Sequence, residues 1–228
     1  MSLKVLAIIP ARGGSKRLPG KNKKMLHGKP MITWTIEAAM NASGISTVYV
    51  STDDPEIAEL SRAAGALVPE LRPAHLSQDE TSTIDVVKYI YGKNPCYDAI
   101  AILQPTSPLR TSADIENAIS LFIKNKASSV ISITECEHKI SWSNYLDNDL
   151  NLDGFLSQAY SDPDGRVGYR LNGAIYLFDA KKLDSDAFNF YDKNAYGYLM
   201  DRVSSIDIDY IEDFEYAEYL LQKKAKAQ

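Results

Sequence analysis

Short runs of apolar and β-branched residues alternate with amphipathic stretches along the first 135 positions of the chain. These runs occupy residues 5–9, 47–50, 99–103 and 130–133. Continuous apolar character is typical of strands that are buried on both faces, as in parallel sheets. The pattern therefore predicts an α/β fold with a Rossmann-like, mainly parallel sheet flanked by helices.

Helical periodicity fills the intervals between these strands. Helices are predicted near residues 31–39, 55–64, 83–91, 112–122 and 210–221. Two of them begin beside residues that commonly act as N-caps. Asp53 or Asp54 can cap the second helix, and Thr111 or Ser112 can cap the fourth.

Residues 136–169 interrupt this alternation. The segment is rich in Asp, Asn and Ser, carries isolated aromatic residues and shows no periodicity. It is either a long mobile loop or an inserted subdomain that packs against another subunit, and we favour a dimerisation arm, which predicts a homodimer. Residues 1–135 and 170–228 then form the α/β domain, in which the sheet resumes with strands at 174–178 and 206–208.

Composition narrows the class of protein without identifying it. Hydrophobic residues make up 45% of the chain and charged residues 24%, as is ordinary for a globular domain. The net charge of −5 argues against nucleic-acid binding, and no apolar run approaches the ~20 residues needed to span a bilayer. The two cysteines and three histidines are scattered, which disfavours disulfides, zinc and histidine-based catalysis. A cytoplasmic protein without a membrane partner is expected.

The strongest chemical feature is a cluster of cations after the first strand. Its members are Arg12, Lys16, Arg17, Lys21, Lys23 and Lys24. Gly13 and Gly14 allow backbone N–H groups to approach a ligand, and open α/β sheets bind ligands at the carboxyl edge of their strands. The spacing matches neither a Walker A motif nor GxGxxG. A solvated charge run is the alternative, but the position after a buried strand favours a polyphosphate-binding loop.

Two aspartates near the C-terminus form a second candidate site. If residues 206–208 form a strand, Asp207 and Asp209 lie on one face and the isoleucines on the other. Paired carboxylates together with phosphate oxygens suit Mg²⁺. Asp209 can equally be the N-cap of the last helix, since Glu212 follows three residues later. Spacing alone does not separate a metal site from a helix cap.

The segment IPARGGSKRLPGKN, residues 9–22, resembles the signature of the cytidylyltransferases that activate sialic acids and related nonulosonic acids. Further similar motifs are STDD at 51–54, RP at 72–73, LQPTSPLR at 103–110, NGAIY at 172–176 and SIDID at 205–209. The similarity is weakest between residues 137 and 166. The resemblance to this acylneuraminate cytidylyltransferase (CMP-sialic acid synthetase) family implies an α/β nucleotidyltransferase. Such an enzyme transfers CMP from CTP to the anomeric hydroxyl of a carboxylated nine-carbon sugar and releases pyrophosphate.

The resemblance also implies roles for individual residues. The residues that would contact CTP are Arg12, Gly13, Lys16, Lys21, Asn22, Arg72 and Ser82. Those that would contact the sugar are Gln104, Asn172, Tyr176, Phe190 and Tyr191, with Arg166 or Arg170 binding its carboxylate. The catalytic set would be Arg12, Lys16, Lys21 and Asp209, and Asp207 and Asp209 would hold Mg²⁺ or Mn²⁺.

Two of these assignments carry a structural expectation of their own. Asn172 and Tyr176 are expected on one face of their strand, because they are four residues apart. Without the resemblance, Ser82 or Thr83 would be interpreted as a helix N-cap, and a cap can also contact the nucleotide.

In-line attack of a sugar hydroxyl on the α-phosphorus of CTP requires positioning and charge neutralisation rather than a protein nucleophile. The absence of a histidine or cysteine constellation agrees with this chemistry. A 3-deoxy-octulosonate cytidylyltransferase and another sugar nucleotidyltransferase are the alternatives of the same class. A non-catalytic polyanion-binding protein is an alternative of a different class, but it has no use for the Asp207–Asp209 pair.

Overall fold

The computed structural model describes residues 3–93, 95–146, 148, 150–152, 166–185 and 187–226. The strands are β1 (Val5–Pro10), β2 (Met25–Leu26), β3 (Lys29–Pro30), β4 (Thr47–Ser51), β5 (Ala99–Leu103), β6 (Ser129–Glu135), β7 (Tyr169–Asp179) and β8 (Ala195–Leu199). The α-helices are α1 (Met31–Met40), α2 (Pro55–Ala63), α3 (Thr83–Lys93), α4 (Ser112–Asn125) and α5 (Ile211–Lys226).

Six of the described strands form one sheet, in the order β4–β1–β5–β7–β6–β8. β1 pairs in parallel with β4 and β5, and β8 pairs in parallel with β6. β7 lies between β5 and β6 and is antiparallel to both. The mainly parallel sheet predicted from the apolar runs is therefore confirmed, with β7 as an antiparallel member.

Helices and loops cover both faces of this sheet and bury the apolar runs. One cluster of buried side chains joins β1, β4 and β5 to α1, α2 and α4, and a second lies beneath α3 and residues 180–185 and 187–190. Asp54 caps α2, and Thr111 forms a capping box with Asp114 at the start of α4, so one predicted cap residue at each helix is confirmed. None of the described helices combines the length and the apolar character needed to cross a bilayer.

The strand predicted at 206–208 is wrong. This segment crosses the end of β5 as a loop, and its Ile208 N–H donates to the carbonyl oxygen of Thr106 (2.8 Å). Ile208 is buried in one cluster with Phe214 of α5. Its apolar side chain therefore anchors a loop and not a strand of the sheet. The strand that completes the described sheet is β8, whose sequence AYGYL lacks a continuous apolar run because much of it is exposed.

β7 bulges where residues 172–175 face Ser132 of β6. Gly173 lies within the bulge and has a φ angle of +76°, which L-amino acids with a side chain rarely adopt. Tyr176 consequently packs in the cluster beneath α3, whereas Asn172 contacts Met200 in the cluster on the other face. The expectation that Asn172 and Tyr176 share one face is therefore wrong, because the bulge interrupts the alternation between them.

The residues that flank the two ends of segment 136–169 lie side by side. β6 ends at Glu135 and β7 begins at Tyr169, and these two residues are partners in the sheet. The Cys136 N–H donates to the carbonyl oxygen of Gly168 (2.8 Å), which extends the contact by one residue. Residues 147, 149 and 153–165 of the predicted dimerisation arm lie outside the described residues.

Substituting Gly173 with alanine should destabilise the fold. Its positive φ is unfavourable for alanine, and an added Cβ would lie 3.0 Å from Oε1 of Gln104. We expect the free energy of unfolding, measured by urea denaturation, to fall by about 1–2 kcal/mol. Gly92→Ala is the control, because Gly92 lies in α3 with open space around it and should gain about 0.5–1 kcal/mol. A Gly173→Ala protein as stable as the wild type would contradict the requirement for glycine in the bulge of β7.

Candidate active site

A cavity of about 570 Å³ opens at the carboxyl ends of β1 and β5. Its walls come from the loop after β1, the segment between residues 72 and 86, the loop after β5, and Asp209. Of the predicted site residues, those that line it are Arg12, Lys16, Lys21, Asn22, Arg72, Gln104 and Asp209. The cavity therefore lies at the edge of the sheet where α/β proteins bind ligands.

Internal hydrogen bonds shape the loop at residues 11–24, which we call the basic loop. Asn22 is buried, and its Nδ2 donates to the carbonyl oxygen of Arg12 (3.1 Å). The Gly13 N–H donates to the Asp53 carboxylate (2.9 Å) and Gly13 does not line the cavity, so its contact with CTP stays a prediction. The absence of a side chain at Gly13 also provides room, since a Cβ there would lie 2.9 Å from the Cβ of Asp54.

The basic loop meets the C-terminal aspartate segment. Arg17 forms an ion pair with Asp209, and Nζ of Lys21 lies 3.4 Å from Oδ1 of Asp209. Lys21 is buried and also donates to the carbonyl oxygen of Ile208, so these oxygens compensate its charge for the loss of water. The predicted convergence of the two sequence-distant groups is confirmed by these contacts.

Arg12 and Lys16 face a carboxylate that the sequence analysis did not identify. Nη1 of Arg12 lies 2.6 Å from Oδ1 of Asp79, and Lys16 pairs with the other oxygen of the same carboxylate. Asp79 lies between the short 3₁₀ helix Ala74–Leu76 and α3, and it also lines the cavity. No periodicity or motif in the sequence connects Asp79 with the basic loop.

Two lysines of the basic loop do not line the cavity. Lys23 pairs with Glu56 and Asp54 at the start of α2, and the Glu56 contact is the largest of those that raise the pKa of Lys23. Nζ of Lys24 lies 5.3 Å from the ring centroid of Phe214 in α5. These lysines connect the loop to the helices, so the sequence cluster divides into ligand-facing and anchoring cations.

Arg72 lies at the end of β4, close to Arg12. Its Nε donates to the Ser51 hydroxyl (2.9 Å), which holds the guanidinium against the sheet. Burial lowers the pKa of Arg72, the charge of Arg12 acts in the same direction, and Asp53 opposes both. An arginine retains its proton at neutral pH under such shifts, so Arg72 contributes a fixed cation to the cavity.

Ser82 is the N-cap of α3. Its hydroxyl accepts a hydrogen bond from the Asp85 N–H (3.1 Å), as predicted for the helix start. Ser82 does not line the cavity, whereas its neighbours Thr81 and Thr83 do. Thr81 and Thr83 are therefore better placed to contact a ligand than the predicted Ser82.

The aspartates near the C-terminus have separable roles. Asp213, the third residue of α5, reaches back to the residues before the helix and accepts from the backbone N–H groups of Asp209 (3.0 Å) and Tyr210 (2.8 Å). The Asp209 carboxylate is thereby left to the cations of the basic loop. Burial raises the pKa of Asp207, a hydrogen bond from Thr106 lowers it, and the charge of Asp209 raises it. The two predicted metal ligands are thus close enough to influence each other, although Asp207 does not line the cavity.

Three aromatic residues predicted to contact the sugar form one cluster. The ring centroids of Tyr176 and Phe190 are 5.2 Å apart, and those of Phe190 and Tyr191 are 6.1 Å apart. Burial raises the pKa of Tyr176, and the charges of Tyr191 and Asp207 act in the same direction. None of these three residues lines the cavity, and Tyr176 is the one whose pKa the charge of Asp207 influences.

Other residues predicted to contact the sugar lie elsewhere. Asn172 is buried, where it accepts from the Ser132 hydroxyl (2.5 Å) and donates to the Ser205 hydroxyl (2.9 Å). Its amide is occupied by protein partners and does not line the cavity, so contact of Asn172 with the sugar stays a prediction. Arg166 and Arg170 are exposed, and neither lines the cavity.

Arg110 is a buried residue that the sequence analysis did not single out. Its Nη1 donates to the carbonyl oxygens of Gln104 (3.2 Å) and Ala174 (2.9 Å). Burial lowers the pKa of Arg110 to about 10, and Asp114 opposes this shift. The two hydrogen bonds connect the loop after β5 to the bulge of β7, and they fix the backbone of Gln104 at the cavity wall.

Residues 6–227 match the family model described as Cytidylyltransferase. The chain belongs to the cytidylyltransferase family. The match includes the basic loop, segment 136–169 with its flanking strands, and the aspartate pair, so it covers all the walls of the cavity. It confirms the resemblance found in the sequence and assigns the chain to the nucleotidyltransferase enzymes.

Several curated members of this family are similar over the whole chain. CMP-N,N'-diacetyllegionaminic acid synthase of Legionella pneumophila is 36% identical, with 99% of each chain covered. Pseudaminic acid cytidylyltransferase of Campylobacter jejuni is 34% identical, with 96% of each covered. N-acylneuraminate cytidylyltransferase of Escherichia coli is 36% identical over 98% of this chain, which spans 54% of that longer protein.

A solved structure supports the fold assignment. CMP:2-keto-3-deoxy-manno-octonic acid synthetase, solved in complex with CTP, matches with a TM-score of 0.75 over 97% of this chain and 99% of that one. The two sequences are 19% identical, so this likeness shows the shared fold alone.

Substituting Asn172 with leucine should act on stability. The substitution removes the partners of Ser132, Ser205 and the Ala174 N–H within the core. We expect the free energy of unfolding to fall by about 2–4 kcal/mol in urea denaturation, because buried polar groups lose their hydrogen bonds. Unchanged stability combined with a raised KM for the acceptor would instead support the predicted sugar contact.

Proposed function

We propose that this enzyme transfers CMP from CTP to the anomeric hydroxyl of a nonulosonic acid and releases pyrophosphate. The observation that carries the proposal is the cavity at the carboxyl edge of the sheet. Arg12, Lys16, Lys21 and Asp209 line it together, and Lys21 contacts Asp209. The relatives named for legionaminic, pseudaminic and N-acylneuraminic acids support this class of acceptor. The octonic acid synthetase shares only its fold with this chain, so the likeness does not favour an octonic acid as the acceptor.

The cations of the basic loop would bind the triphosphate and stabilise the departing pyrophosphate. Arg12 and Lys16 are exposed enough to reach a ligand, with 38% and 73% of their side-chain surface accessible. Lys21 is held by Ile208 and Asp209, so its charge is already oriented before the ligand arrives. Such preorganised charge stabilises a transition state without further reorganisation.

The acceptor would bind between Gln104 and the aromatic cluster of Tyr176, Phe190 and Tyr191. Arg110 fixes the backbone of Gln104, and the cluster offers apolar surface for the acyl groups of such sugars. This arrangement positions the hydroxyl for in-line attack, which is the main requirement of phosphoryl transfer. Binding of the sugar carboxylate by Arg166 or Arg170 stays a prediction.

Asp207 and Asp209 are the residues that would hold Mg²⁺ or Mn²⁺. Within the described part of the chain, no group of three or more His, Cys, Asp or Glu side chains is arranged to bind a metal ion. Phosphate oxygens would therefore complete the coordination, which suits the preference of Mg²⁺ for one or two carboxylates plus substrate phosphates. When bound, the ion would neutralise phosphate charge.

Substituting Asp209 with asparagine should impair catalysis more than folding. The variant loses a metal ligand and the partner of Arg17 and Lys21, so we expect kcat/KM to fall about 100-fold or more. Pyrophosphate release is the readout, with each nucleoside triphosphate tested with and without a panel of nonulosonic acids. Release from CTP that depends on the acceptor supports the proposed reaction.

Glu212→Gln provides the control for Asp209→Asn. It removes the same charge from an exposed position at the start of α5, and it should retain activity within about 2-fold, as is usual for surface substitutions away from a site. Full CMP transfer by Asp209→Asn at low Mg²⁺ would refute the metal assignment. Release from CTP without any acceptor would refute the proposed transferase reaction.

We further propose a cytoplasmic homodimer joined through residues 136–169. CTP is an intracellular nucleotide, which supports the location. The described part of this segment exposes Ile140, Trp142 and Val167, beside exposed Tyr169 at the start of β7. Contiguous exposed apolar side chains are typical of interaction surfaces. A second copy of the chain is the occupant that we infer, because every copy presents the same patch and a two-fold pairing covers both patches at once.

The double substitution Ile140→Ser and Trp142→Ser should convert the dimer into monomers, because it removes apolar surface from the inferred interface. Light scattering of the purified full chain measures the molecular mass. Ile123→Ser is the control, since Ile123 is similarly exposed but lies on α4. A folded double variant that stays dimeric would refute the role of this segment.

A further inference from the structure

Asp79 contacts both cations that would receive the phosphates. Its Oδ1 lies 2.6 Å from Nη1 of Arg12, and its Oδ2 pairs with Nζ of Lys16. All three side chains also line the cavity. A single carboxylate from the segment before α3 therefore bridges these two cations of the basic loop.

A carboxylate and a phosphate offer the same kind of acceptor to arginine and lysine. Both groups present anionic oxygens that take charge-assisted hydrogen bonds from these donors. The pKa of Asp79 is held below its usual value, first by Lys16 and then by Arg12, so it is ionised at neutral pH. Asp79 and a phosphate group must consequently compete for the same donors.

The contacts of Asp79 are of the kind that a ligand can displace. The side chains of Arg12, Lys16 and Asp79 are 38%, 73% and 42% exposed, and exposed ion pairs contribute little stability. The turn that carries Asp79 is closed by a 3.3 Å hydrogen bond from the Thr81 N–H to the carbonyl oxygen of Gln78. Lys21 differs, because it is buried against Ile208 and Asp209 and keeps its partners.

We propose that Asp79 is an internal competitor for the polyphosphate site, which it leaves when a phosphate binds and re-occupies as pyrophosphate departs. The inference rests on the proposed function, since it requires Arg12 and Lys16 to hold phosphates. Its consequence for the reaction is weaker retention of the product pyrophosphate. Asp79 then favours product release and opposes reversal of the transfer.

The test compares Asp79→Asn with Glu80→Gln in the full chain. Both variants remove one negative charge from adjacent exposed positions, but Glu80 does not pair with Arg12 or Lys16. Pyrophosphate binding is measured by calorimetry at low salt and with a chelator, so that no divalent metal contributes. Asp79→Asn should bind pyrophosphate about 3- to 10-fold more tightly than the wild type, as expected for the loss of two weak competing ion pairs. The pyrophosphate affinity of Glu80→Gln should remain within about 2-fold of the wild-type value. This substitution changes only the long-range electrostatic potential, which salt screens.

A second measurement tests whether Asp79 also weakens pyrophosphate binding during the reaction. With Mg²⁺, CTP and the acceptor present, the inhibition constant for pyrophosphate should fall in Asp79→Asn by a similar factor and stay unchanged in Glu80→Gln. Equal affinities for the two variants, or weaker binding by Asp79→Asn, would overturn the competitor role while leaving the phosphate site intact. A wild-type protein that binds no pyrophosphate would overturn the proposed phosphate site and the inference with it.

Discussion

Charge pairing within and around the basic loop is the interaction on which the site depends. Like charges repel at short range, so a cation-rich loop adopts one shape only if carboxylates neutralise it. Those carboxylates come from three distant parts of the chain: the start of α2, the turn before α3 and the segment before α5. The same contacts that shape the loop also bring these segments together around the cavity.

Exposure separates the anchoring cations from the exchangeable ones. The side chain of Lys21 is 10% exposed and that of Lys16 is 73% exposed. A buried cation cannot lose its partners without a large desolvation cost, whereas an exposed cation can exchange a carboxylate for a phosphate at little cost. One loop therefore provides both a rigid frame and a set of donors that remain available to a ligand.

The wall of the cavity at Gln104 depends on the bulge of β7. Gly173 allows Gln104 to approach closely, and Arg110 connects the carbonyl oxygens of Gln104 and Ala174. The bulge also separates Asn172, which stabilises the core, from Tyr176, which joins the aromatic cluster. Residues four positions apart lie on the same face of an uninterrupted strand. No sequence pattern predicted the bulge that separates Asn172 from Tyr176.

The sequence alone determined the fold class, the order of the main helices and strands, and the position of the basic loop, because buried strands, amphipathic helices and caps are recorded locally as periodicity and residue type. The motif resemblance added the family and several cavity residues, including Arg12, Lys21 and Asp209. Only the tertiary structure revealed Asp79 and Arg110, the loop at 206–209, and β8 as the completing strand. These features depend on contacts between distant segments and on which surface remains uncovered, and neither property follows from the spacing of residues along the chain.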